Sequence, residues 1–586
     1  MIIKPQSCNT NFHFVMIKPS HYDDDGYVIQ WIRSAIPSNS LAVINGIALD
    51  CVARRVLGEN VDIKLSAYDE TNTRIKTASI SKRIEKSGGC GLVALVGVQT
   101  NQFPRAMDLA RQFRAAGIQV AIGGFHVSAC LSMLPELPAD LQEALDLGIT
   151  LFAGELEGRL DTLLQAAYRR ELKPLYNYMN DLPGLTGSVT PFLPKKLLKW
   201  TANSRTTFDA GRGCPFLCSF CTIINVQGRQ SRFRSADDVE QIVHANLAQG
   251  VSNFFITDDN FARNLNWEAI LDRLIKLRQQ NGLLMNLIVQ VDTMCHKIPG
   301  FIEKAGLAGV NRVFIGLENI NPESLKEARK GQNRITEYRT MLQAWHHIGT
   351  VTYAGFILGF SHDTPESIER DIKIIQRELP IDILEFFILT PLPGSQDHKQ
   401  LYEQGVVMDA DMNKYDLEHV ITEHPVMSKQ QLSAIYRRAW DIYYTPEHVE
   451  TILRRAKAWG YDLRSLMHKL LLFYTFPKVG NIHPLEGGLF RRKYRRDRRS
   501  GLPIEKRMAF YSHYINSSIR EHLQYLGLYL SFTRILRRVK KDDRAYTDIA
   551  LRPVEECDFD ELELYSVSAA ARASVNKIRN ARKRDQ

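Results

Sequence analysis

Cysteine is scarce in this chain, with nine residues in 586. Three of the nine, Cys214, Cys218 and Cys221, nevertheless fall within the stretch GRGCPFLCSFCTI, residues 211–223. A structural zinc site uses four ligands, usually as two separated pairs, and no second CxxC or HxxxH lies near this stretch. A disulfide framework needs an even count in a short secreted chain, whereas the opening MIIKPQSCNT has no basic segment followed by an apolar one. We therefore expect reduced, intracellular thiols.

Long apolar runs and strong compositional bias are also absent. No run of about 18 apolar residues occurs, so no segment is predicted to span a membrane. Hydrophobic content of 44% and charged content of 24% are ordinary for a soluble globular protein. A chain of 586 residues is too long for a single core, which predicts two to four domains. The net charge of +10 is concentrated late, in FRRKYRRDRRS (490–500) and RILRRVKKDDR (534–544).

Short apolar runs alternate with helical patterns through residues 12–170. FHFVMIK, VDIKLSAY, GLVALVGVQT, QVAIGGFH and ITLFAGE are typical of strands, and LAVINGIALDCVARRVLG and PRAMDLARQFRAAG have helical spacing. This alternation predicts a doubly wound, Rossmann-like parallel sheet whose ligand lies at the carboxyl ends of the strands. The predicted domain covers 1–172, and the proline-containing segment 173–204, which has no sustained period, is predicted to be a linker.

A second alternating series begins at residue 205. Six strand-like runs, TTFDAG, NFFITDD, LMNLIVQVD, NRVFIGLE, VTYAGFILGF and DILEFFILT, are separated by helical patterns. They predict a partial (β/α)6 barrel over 205–400 with its site at the C-terminal rim of the strands. The three cysteines follow the first of these strands and so belong to that rim. Residues 401–586 lose the strand rhythm and are predicted to form a mainly helical, basic region.

Three thiolates from one loop can bind three irons of a four-iron, four-sulfur cluster and leave the fourth iron open. The spacing CxxxCxxC, with Phe220 before the last cysteine and a barrel strand before the first, resembles the signature of the radical S-adenosylmethionine (radical SAM) superfamily. The resemblance implies that Cys214, Cys218 and Cys221 hold the cluster. It also implies that the open iron binds S-adenosylmethionine, which is cleaved to methionine and a 5′-deoxyadenosyl radical. A chance cluster, or a zinc site lacking its fourth ligand, is the alternative.

The later barrel strands resemble the same family at their carboxyl ends. The strand ends ITDDNF, VQVD and IGLENIN, with GFILGF and LTPLPGS after them, follow in the family's order. By this resemblance, polar groups at the strand ends and one backbone position contact S-adenosylmethionine. The alternative is that the acids cap the following helices, a position that Asp and Asn favour. The residues concerned are Phe220, Asp258, Asp259, Asn260, Asp292, Gly316 and Glu318.

The first domain resembles the cobalamin-binding domain that precedes the radical domain in one branch of the superfamily. VGVQTNQFPRAMDLARQFRAAGIQVAIGGFHVSA is the most similar part, followed by FAGELEG. The DxHxxG sequence that supplies a histidine to cobalt elsewhere is absent, so no axial histidine is assigned, and a degenerate domain that binds nothing is the alternative. His126 is also read as a strand-end histidine bonded to backbone. The cobalamin residues implied by resemblance are Gln99, Thr100, Gly123, Gly124, His126, Gly154 and Glu155.

The resemblance implies a radical S-adenosylmethionine enzyme, and the favoured activity is cobalamin-dependent methylation of an unactivated carbon. A cyclase, coupling or rearrangement enzyme without methyl transfer is the alternative within the class. A basic nucleic-acid-binding or RNA-modifying protein is the alternative outside it, prompted by the late arginine clusters. No catalytic residue is assigned. The expected partners are a small-molecule or lipid-like substrate and an electron donor such as flavodoxin or ferredoxin. The expected location is the cytoplasm.

Residues 512–541 predict one further feature, an amphipathic helix. Ile515, Ile519, Leu523, Leu526 and Leu530 recur at helical spacing, and a basic end follows them. One interpretation packs this helix on the barrel; the other attaches it to an anionic membrane surface at the inner face of the membrane, which favours a lipid-like substrate. The remaining cysteines, Cys8, Cys51, Cys90, Cys130, Cys295 and Cys557, are scattered, and we expect packing roles for them, with a site role open only for Cys295.

Overall fold

The computed structural model describes residues 11–282, 284–555 and 557–585, without the side chains of 281 and 581–585. Cys8 lies outside the described residues. The strands are β1 Asn11–Lys18, β2 Gln30–Ser34, β3 Asp62–Asp69, β4 Gly91–Leu95, β5 Gln119–Gly123, β6 Thr150–Ala153, β7 Leu175–Asn177, β8 Thr206–Phe208, β9 Gly211–Arg212, β10 Arg232–Phe233, β11 Asn253–Ile256, β12 Asn286–Val291, β13 Val310–Glu318, β14 Val351–Leu358, β15 Ile383–Ile388 and β16 Gly488–Arg492.

The α-helices surround these strands in a regular order along the chain. They are α1 Asn39–Ala53, α2 Thr77–Glu85, α3 Phe103–Ala115, α4 Phe125–Met133, α5 Ala139–Asp146, α6 Leu160–Arg169, α7 Lys195–Leu198, α8 Ile223–Val226, α9 Ala236–Ala248, α10 Trp267–Asn281, α11 Phe301–Ala308, α12 Pro322–Glu327, α13 Tyr338–His347, α14 Pro365–Glu378, α15 Gln396–Glu403, α16 Lys429–Tyr443, α17 Pro446–Ala458, α18 Leu463–Thr475, α19 Arg507–Lys541, α20 Asp558–Glu561, α21 Glu563–Ser566 and α22 Ala569–Asp585.

The first sheet has the strand order β3-β1-β4-β5-β6-β7, and all its pairs are parallel. Its central strand β4 is buried along its whole length, as expected for a parallel sheet covered on both faces. Separate apolar cores lie on the two faces, one built around Phe12 and Leu160 and the other around Phe113 and Leu151. The predicted doubly wound sheet is confirmed. The segment predicted as a linker contributes the sixth strand, β7, to this sheet.

The second sheet has the order β15-β14-β13-β12-β11-β8, with parallel pairing between all six strands. The predicted partial barrel is therefore confirmed, strand by strand in sequence order. Its core continues without a break into the C-terminal helices, because Trp440, Leu453, Leu470 and Ile535 belong to the same buried cluster as the barrel strands. The C-terminal region is mainly helical, as predicted, and it packs as an extension of the barrel core.

The basic segment at 490–500 contacts residues near the start of the chain. Its first residues belong to β16, which pairs antiparallel with β2. The side chains that follow β16 form ion pairs: Arg499 with Asp411 at 2.6 Å and Lys493 with Asp23 at 2.9 Å. Arg491 also pairs with Asp23, at 2.8 Å. Most of this charge is therefore neutralised within the chain, where it joins the C-terminal region to residues near the start.

Candidate active site

The cysteine loop follows the first barrel strand and is fixed to its surroundings by backbone contacts. The amide of Cys214 donates to the carbonyl of Gly228 at 3.2 Å, and the amide of Ser219 donates to that of Ala328 at 3.0 Å. Gly213, at φ +93°, precedes the first cysteine, and a Cβ there would lie 2.4 Å from the carbonyl oxygen of Gln230. A side chain at 213 would therefore displace the loop.

The three thiols of this loop are the predicted ligands of the cluster. Burial raises the pKa of the thiols of Cys214 and Cys218, and raises that of Cys221 to about 12. Metal binding would therefore have to displace their protons. No group of three His, Cys, Asp or Glu side chains in the described parts of the chain is arranged to hold one ion. A four-iron cluster suits this arrangement, because each cysteine binds a different iron.

A buried ion pair lies beside the cysteines. Lys330 Nζ bonds to the carboxylate of Glu318 and donates to the carbonyl of Gly316 at 3.1 Å. Burial alone would lower the pKa of Lys330, but the charges of Glu318 and Cys218 outweigh burial and raise it, so the ammonium stays charged. The side-chain amide of Gln332 donates to Cys218 Sγ at 3.5 Å. The cysteine loop thus has a fixed cation and an N–H donor beside it, and both favour a negatively charged cluster.

Two aromatic side chains of the cysteine loop face cations. The ring of Phe220 lies 5.9 Å from Lys330 Nζ, and it packs in a small apolar cluster with Ile357 and Phe360. The guanidinium of Arg263 lies 5.5 Å from the ring of Phe216. These contacts fix the orientation of the loop from both sides.

Two of the acids predicted to contact S-adenosylmethionine are engaged within the protein. The carboxylate of Asp258 accepts from the amides of Ala210 and Gly211, at 2.7 and 2.8 Å, and from Asn264 Nδ2 at 2.8 Å. That of Asp292 forms a two-point ion pair with Arg263, at 2.7 and 2.9 Å. Asp258 therefore connects the ends of β8 and β11, and Asp292 fixes the loop after β12. Both carboxylates position the backbone of the rim.

Their neighbours Asp259 and Asn260 have free acceptors. Asp259 Oδ2 and Asn260 Oδ1 are buried and have no hydrogen-bond partner among the described residues. Burial and the adjacent Asp258 raise the pKa of Asp259 to about 7. A buried acceptor without a partner costs about 1–3 kcal/mol, so two of them on one loop mark a place where a donor group of a ligand fits. The ammonium of S-adenosylmethionine is such a donor.

Glu318 and Gly316, the remaining rim residues, belong to the ion-pair site. Glu318 has φ +62°, in the left-handed region, and ends β13 with its carboxylate turned to Lys330. A Cβ at Gly316 would lie 2.9 Å from Glu318 Oε1 and 3.0 Å from Lys330 Nζ. Glycine at 316 is thus what leaves room for the pair.

A cavity of about 150 Å³ opens at the carboxyl edge of the first sheet, facing the barrel. Gly123, Gly124, Gly154 and Glu155, four of the residues predicted for the cobalamin crevice, line it. Gly124 has φ +144°, and a Cβ there would lie 2.2 Å from the amide nitrogen of Val98. The cavity is smaller than the roughly 300–1,000 Å³ of typical small-molecule pockets, so it fits only part of a large cofactor.

The other three predicted cobalamin residues lie beside this cavity and do not line it. His126 is buried, with Nε2 2.8 Å from Asp140 Oδ2 and Nδ1 3.3 Å from Thr100 Oγ1. Its side chain is therefore held by a carboxylate and a hydroxyl, where we had expected backbone. Gln99 is exposed at the start of the same loop. Cys295 is fully buried in the barrel core, as expected for a packing residue.

Arg212 connects the cavity to the cysteine loop. It lies two residues before Cys214, and its guanidinium pairs with Glu155 and Glu157 of the first domain, each at 2.6 Å. A third carboxylate, Asp209 of the barrel, lies 3.2 Å away, and Arg232 also pairs with Glu155, at 2.5 Å. These carboxylates raise the pKa of the buried Arg212 against the effect of burial. The two domains are thus joined by a buried charge network at the predicted cofactor sites.

Sequence reasoning missed Lys330, Gln332, Arg212 and Arg263. Lys330 and Gln332 follow α12 in a segment with no motif spacing, and Arg263 lies in a 3-10 turn. Arg212 was the one accessible in principle, since it stands within the quoted stretch GRGCPFLCSFCTI. An arginine directly before a cluster motif is a visible signal, but its partners lie 55 to 57 residues earlier.

Comparison with known proteins agrees with this site. Residues 210–375 match the model of the Radical SAM superfamily. Bacteriochlorophyllide d C-8(2)-methyltransferase of Chlorobaculum tepidum is 26% identical over 361 residues, 58% of this chain and 74% of that protein. The hopanoid C-2 methylase of Rhodopseudomonas palustris is 23% identical over 326 residues, 55% of this chain and 59% of that protein.

Among solved structures, the radical S-adenosylmethionine methyltransferase TsrM from Kitasatospora setae, determined with cobalamin and a [4Fe-4S] cluster, superposes with a TM-score of 0.55. The match covers 74% of this chain and 89% of that one at 14% identity, so the likeness is one of fold. With the family match and the cysteine loop, the assignment is direct: this chain contains a radical SAM domain. Its radical SAM domain uses a [4Fe-4S] cluster and S-adenosylmethionine.

Proposed function

We propose that this enzyme is a cobalamin-dependent C-methyltransferase that acts on an unactivated carbon of a hydrophobic substrate. The observation that carries the proposal is the join between the two predicted cofactor sites. Glu155 lines the cavity at the edge of the Rossmann-like sheet, and its partner Arg212 stands two residues before the first cluster cysteine. A methyl carrier in the first domain would therefore face the radical centre in the barrel.

The relatives support methyl transfer in particular. Both curated relatives are named as enzymes that methylate carbon, on a bacteriochlorophyllide and on a hopanoid. The structural neighbour TsrM is a methyltransferase whose structure contains cobalamin. A carbon without a lone pair cannot attack a sulfonium methyl group, so such a reaction needs a radical and a separate methyl donor.

The residues of the cavity suit part of a corrinoid. Gly97 and Gly124 expose backbone at the carboxyl edge of the sheet, and Ser40 and Ser128 supply hydroxyl groups. No axial histidine is part of the proposal, because His126 is engaged with Asp140. Cobalamin, when bound, would supply the methyl group, and the cluster with S-adenosylmethionine would supply the radical that removes hydrogen.

The chain's own residues prepare the site for that chemistry. Lys330 and Gln332 place positive charge and an N–H donor beside Cys218. Asp258 and Asp292 hold the rim loops, which leaves Asp259 and Asn260 to accept hydrogen bonds from S-adenosylmethionine. An electron donor of the flavodoxin or ferredoxin class would supply the electron for each cleavage.

The surface of α19 supports a hydrophobic substrate taken from a membrane. Seven large apolar side chains on this helix are between 45% and 85% exposed. They are spaced three or four residues apart and so share one helix face. We call this set the apolar stripe; it comprises Met508, Tyr511, Ile515, Ile519, Leu523, Leu526 and Leu530.

Exposed basic residues continue from the apolar stripe. Arg534, Arg537, Lys540 and Lys541 are exposed on the last turns of α19. None of the described helices is long and apolar enough to cross a bilayer. An apolar face followed by lysine and arginine is the pattern of a helix lying in the interface of an anionic membrane, where each basic residue adds about 1 kcal/mol. We propose peripheral attachment at the cytoplasmic face.

Product analysis tests the proposed activity. The reconstituted full chain would be incubated anaerobically with a reductant, cobalamin, a lipid extract and S-adenosylmethionine carrying a deuterated methyl group. We expect a product that carries the labelled methyl, and no such product when cobalamin is left out. A product formed without cobalamin and without label would contradict methyl transfer and support the cyclase or rearrangement alternative.

A further inference from the structure

A second cavity, of about 500 Å³, lies at the opposite end of the barrel from the cysteines. Its lining includes the first residues of β11 and β12, Asn253 and Asn286, and Arg205, which directly precedes β8. Arg312 lies six residues before Glu318 on the same strand, which at about 3.3 Å per residue is roughly 20 Å from the rim. This cavity is therefore separate from the site described above.

Three cationic side chains lie in this cavity without a paired carboxylate among the described residues. Arg205 and Arg312 come from the barrel and Lys469 from α18. The side chains of the two arginines have no hydrogen bond or ion pair with any residue that the structure describes, and Lys469 Nζ bonds only to Ser465 Oγ, at 2.6 Å. Burial and Arg312 lower the pKa of Arg205 to about 10, and burial followed by Arg312 lowers that of Lys469 to about 8.

The nearby acids are already engaged. Asp462 lines the cavity, but its carboxylate caps α18 by accepting from the amides of Arg464 and Ser465, at 3.0 and 3.3 Å. Asp382 lies behind Lys469 and accepts from the amide and hydroxyl of Thr352, at 2.9 and 3.2 Å. Neither carboxylate is paired with the three cations.

The neutral lining adds donors. Asn311 Nδ2 donates to Asn286 Oδ1 at 2.7 Å, and Asn286 Nδ2 donates to Asn253 Oδ1 at 3.0 Å, which forms a chain of amides along the edge of the sheet. The cavity thus combines guanidinium, ammonium and amide groups. Such a set matches an acceptor with several oxygens and more than one negative charge.

The geometry points to an anion-binding site, and we propose that it takes a phosphate-bearing small molecule, free or esterified. Two unpaired guanidiniums and a lysine in a half-buried cavity repel one another, and a multiply charged oxyanion would remove that repulsion. The volume of the cavity is within the range of small-molecule pockets. Because Lys469 belongs to the C-terminal region and both arginines belong to the barrel, the bound anion would also fasten these two parts together.

Binding of inorganic pyrophosphate to the reconstituted full chain, measured by calorimetry, tests the site. We expect saturable binding at one site, weakened at least tenfold in Arg312→Gln and in Lys469→Gln. Lys276→Gln, on the exposed side of α10, removes the same charge and should leave binding unchanged. A parallel titration with adenosine 5′-diphosphate distinguishes an ester from the free anion by which binds more tightly. No binding of either, or binding that survives in Arg312→Gln, would overturn the proposal.

A thermal scan keeps the proposal testable if a variant is perturbed. Without anion, Lys469→Gln should melt at a higher temperature than the parent chain because a repelled charge is gone, and pyrophosphate should no longer raise its melting temperature. A lower melting temperature without anion would contradict the site, since it would mark Lys469 as a structural residue. The Cys214→Ala, Cys218→Ala, Cys221→Ala chain should bind pyrophosphate normally, so failure of this site and failure of the radical chemistry are separable.

Discussion

Lys330 is the cation that lies next to the cysteines, and the loss of stability on removing its charge can be predicted. It is 7% exposed and pairs with Glu318, whose side chain is 14% exposed. Removing one partner of a buried pair leaves the other charge uncompensated, which typically costs about 3–5 kcal/mol. We expect Lys330→Met to lower the free energy of unfolding by about that amount, and Lys330→Met with Glu318→Gln to recover much of it.

Urea unfolding of the cluster-free parent chain and of these variants measures the free energies of unfolding. Lys304→Met is the matched control, because Lys304 also pairs with two carboxylates but does so in solvent, and it should change stability little. If the double variant were as unstable as Lys330→Met alone, the loss would come from packing and not from the unpaired carboxylate.

Glu385 is expected to make the stability of the folded chain depend on pH. It is 1% exposed on β15, and its Oε2 has no hydrogen-bond partner among the described residues. Burial raises its pKa to about 8, so the folded chain keeps this carboxyl protonated where the unfolded chain, near pKa 4.3, does not. Stability from this group is fully present below the unfolded pKa and is lost as pH rises towards 8. Tyr353 and Tyr444 lie near it, and their pKa values are raised, so they stay neutral over this range.

Thermal melts between pH 5 and 9 test this prediction. Glu385→Gln should remove the decline in the free energy of unfolding with pH. The variant's free energy of unfolding should then exceed the parent's by a few kcal/mol near pH 8 and match it near pH 5, on the scale of about 1.4 kcal/mol per pKa unit. Parallel pH profiles for the two proteins would contradict a neutral Glu385.

At the level of single residues, the sequence predicted the class of chemistry well but predicted few of the contacts between side chains. Three cysteines at fixed spacing on one loop are a local signal, and this signal predicts the cluster loop directly. The acids at the strand ends were visible as a pattern, but the pattern cannot separate Asp258, which binds backbone amides, from Asp259, whose oxygen has no partner. Lys330 was missed because its partner Glu318 is brought to it only by the fold.

At the level of elements, α19 carries the prediction most open to test. The apolar stripe is exposed, so the helix is not packed on the barrel along this face. We expect the full chain to float with liposomes that contain acidic lipid, and to do so less as salt rises, because the basic part of the attraction is screened. Arg534→Glu with Arg537→Glu, and separately Ile519→Asp with Leu523→Asp, should each abolish flotation.

The flotation variants leave Arg538 unchanged, because Arg538 pairs with Glu450. The control is a substitution outside the apolar stripe. Val407→Asp alters a more exposed apolar residue in a loop, and this variant should float normally. Equal recovery with and without acidic lipid would contradict attachment, and a concentration-dependent dimer in gel filtration that Ile519→Asp with Leu523→Asp dissolves would make a second copy the occupant of the stripe.

Elements with local periodicity were predictable, and pairings between distant segments were not. The strands of both parallel sheets could be read from apolar runs bounded by turns. β7 could not, because only three residues of a proline-containing segment pair with the sheet. The pairing of β16 with β2 joins segments more than 450 residues apart, so the charge pattern of 490–500 alone could not reveal the ion pairs that its arginines form within the chain.

At the scale of the whole molecule, the predicted order of three regions is confirmed, but their interfaces emerge only from the structure. Arg212 joins the first domain to the barrel, and a shared core joins the barrel to the C-terminal helices. The barrel thereby has the proposed cobalamin site on one side and the helix that carries the apolar stripe on another. These interfaces join the parts of the chain that the proposed reaction would use.

Reductive cleavage of S-adenosylmethionine tests the central claim most directly. The reconstituted full chain, given a strong reductant without oxygen, should release 5′-deoxyadenosine and show the brown colour of the cluster. Changing Cys214, Cys218 and Cys221 together to Ala should abolish both, because three thiolates are needed to hold the cluster, while cobalamin uptake measured by equilibrium dialysis should persist. Cleavage retained in this variant would contradict the account, and so would a parent chain that binds a cluster but never cleaves S-adenosylmethionine.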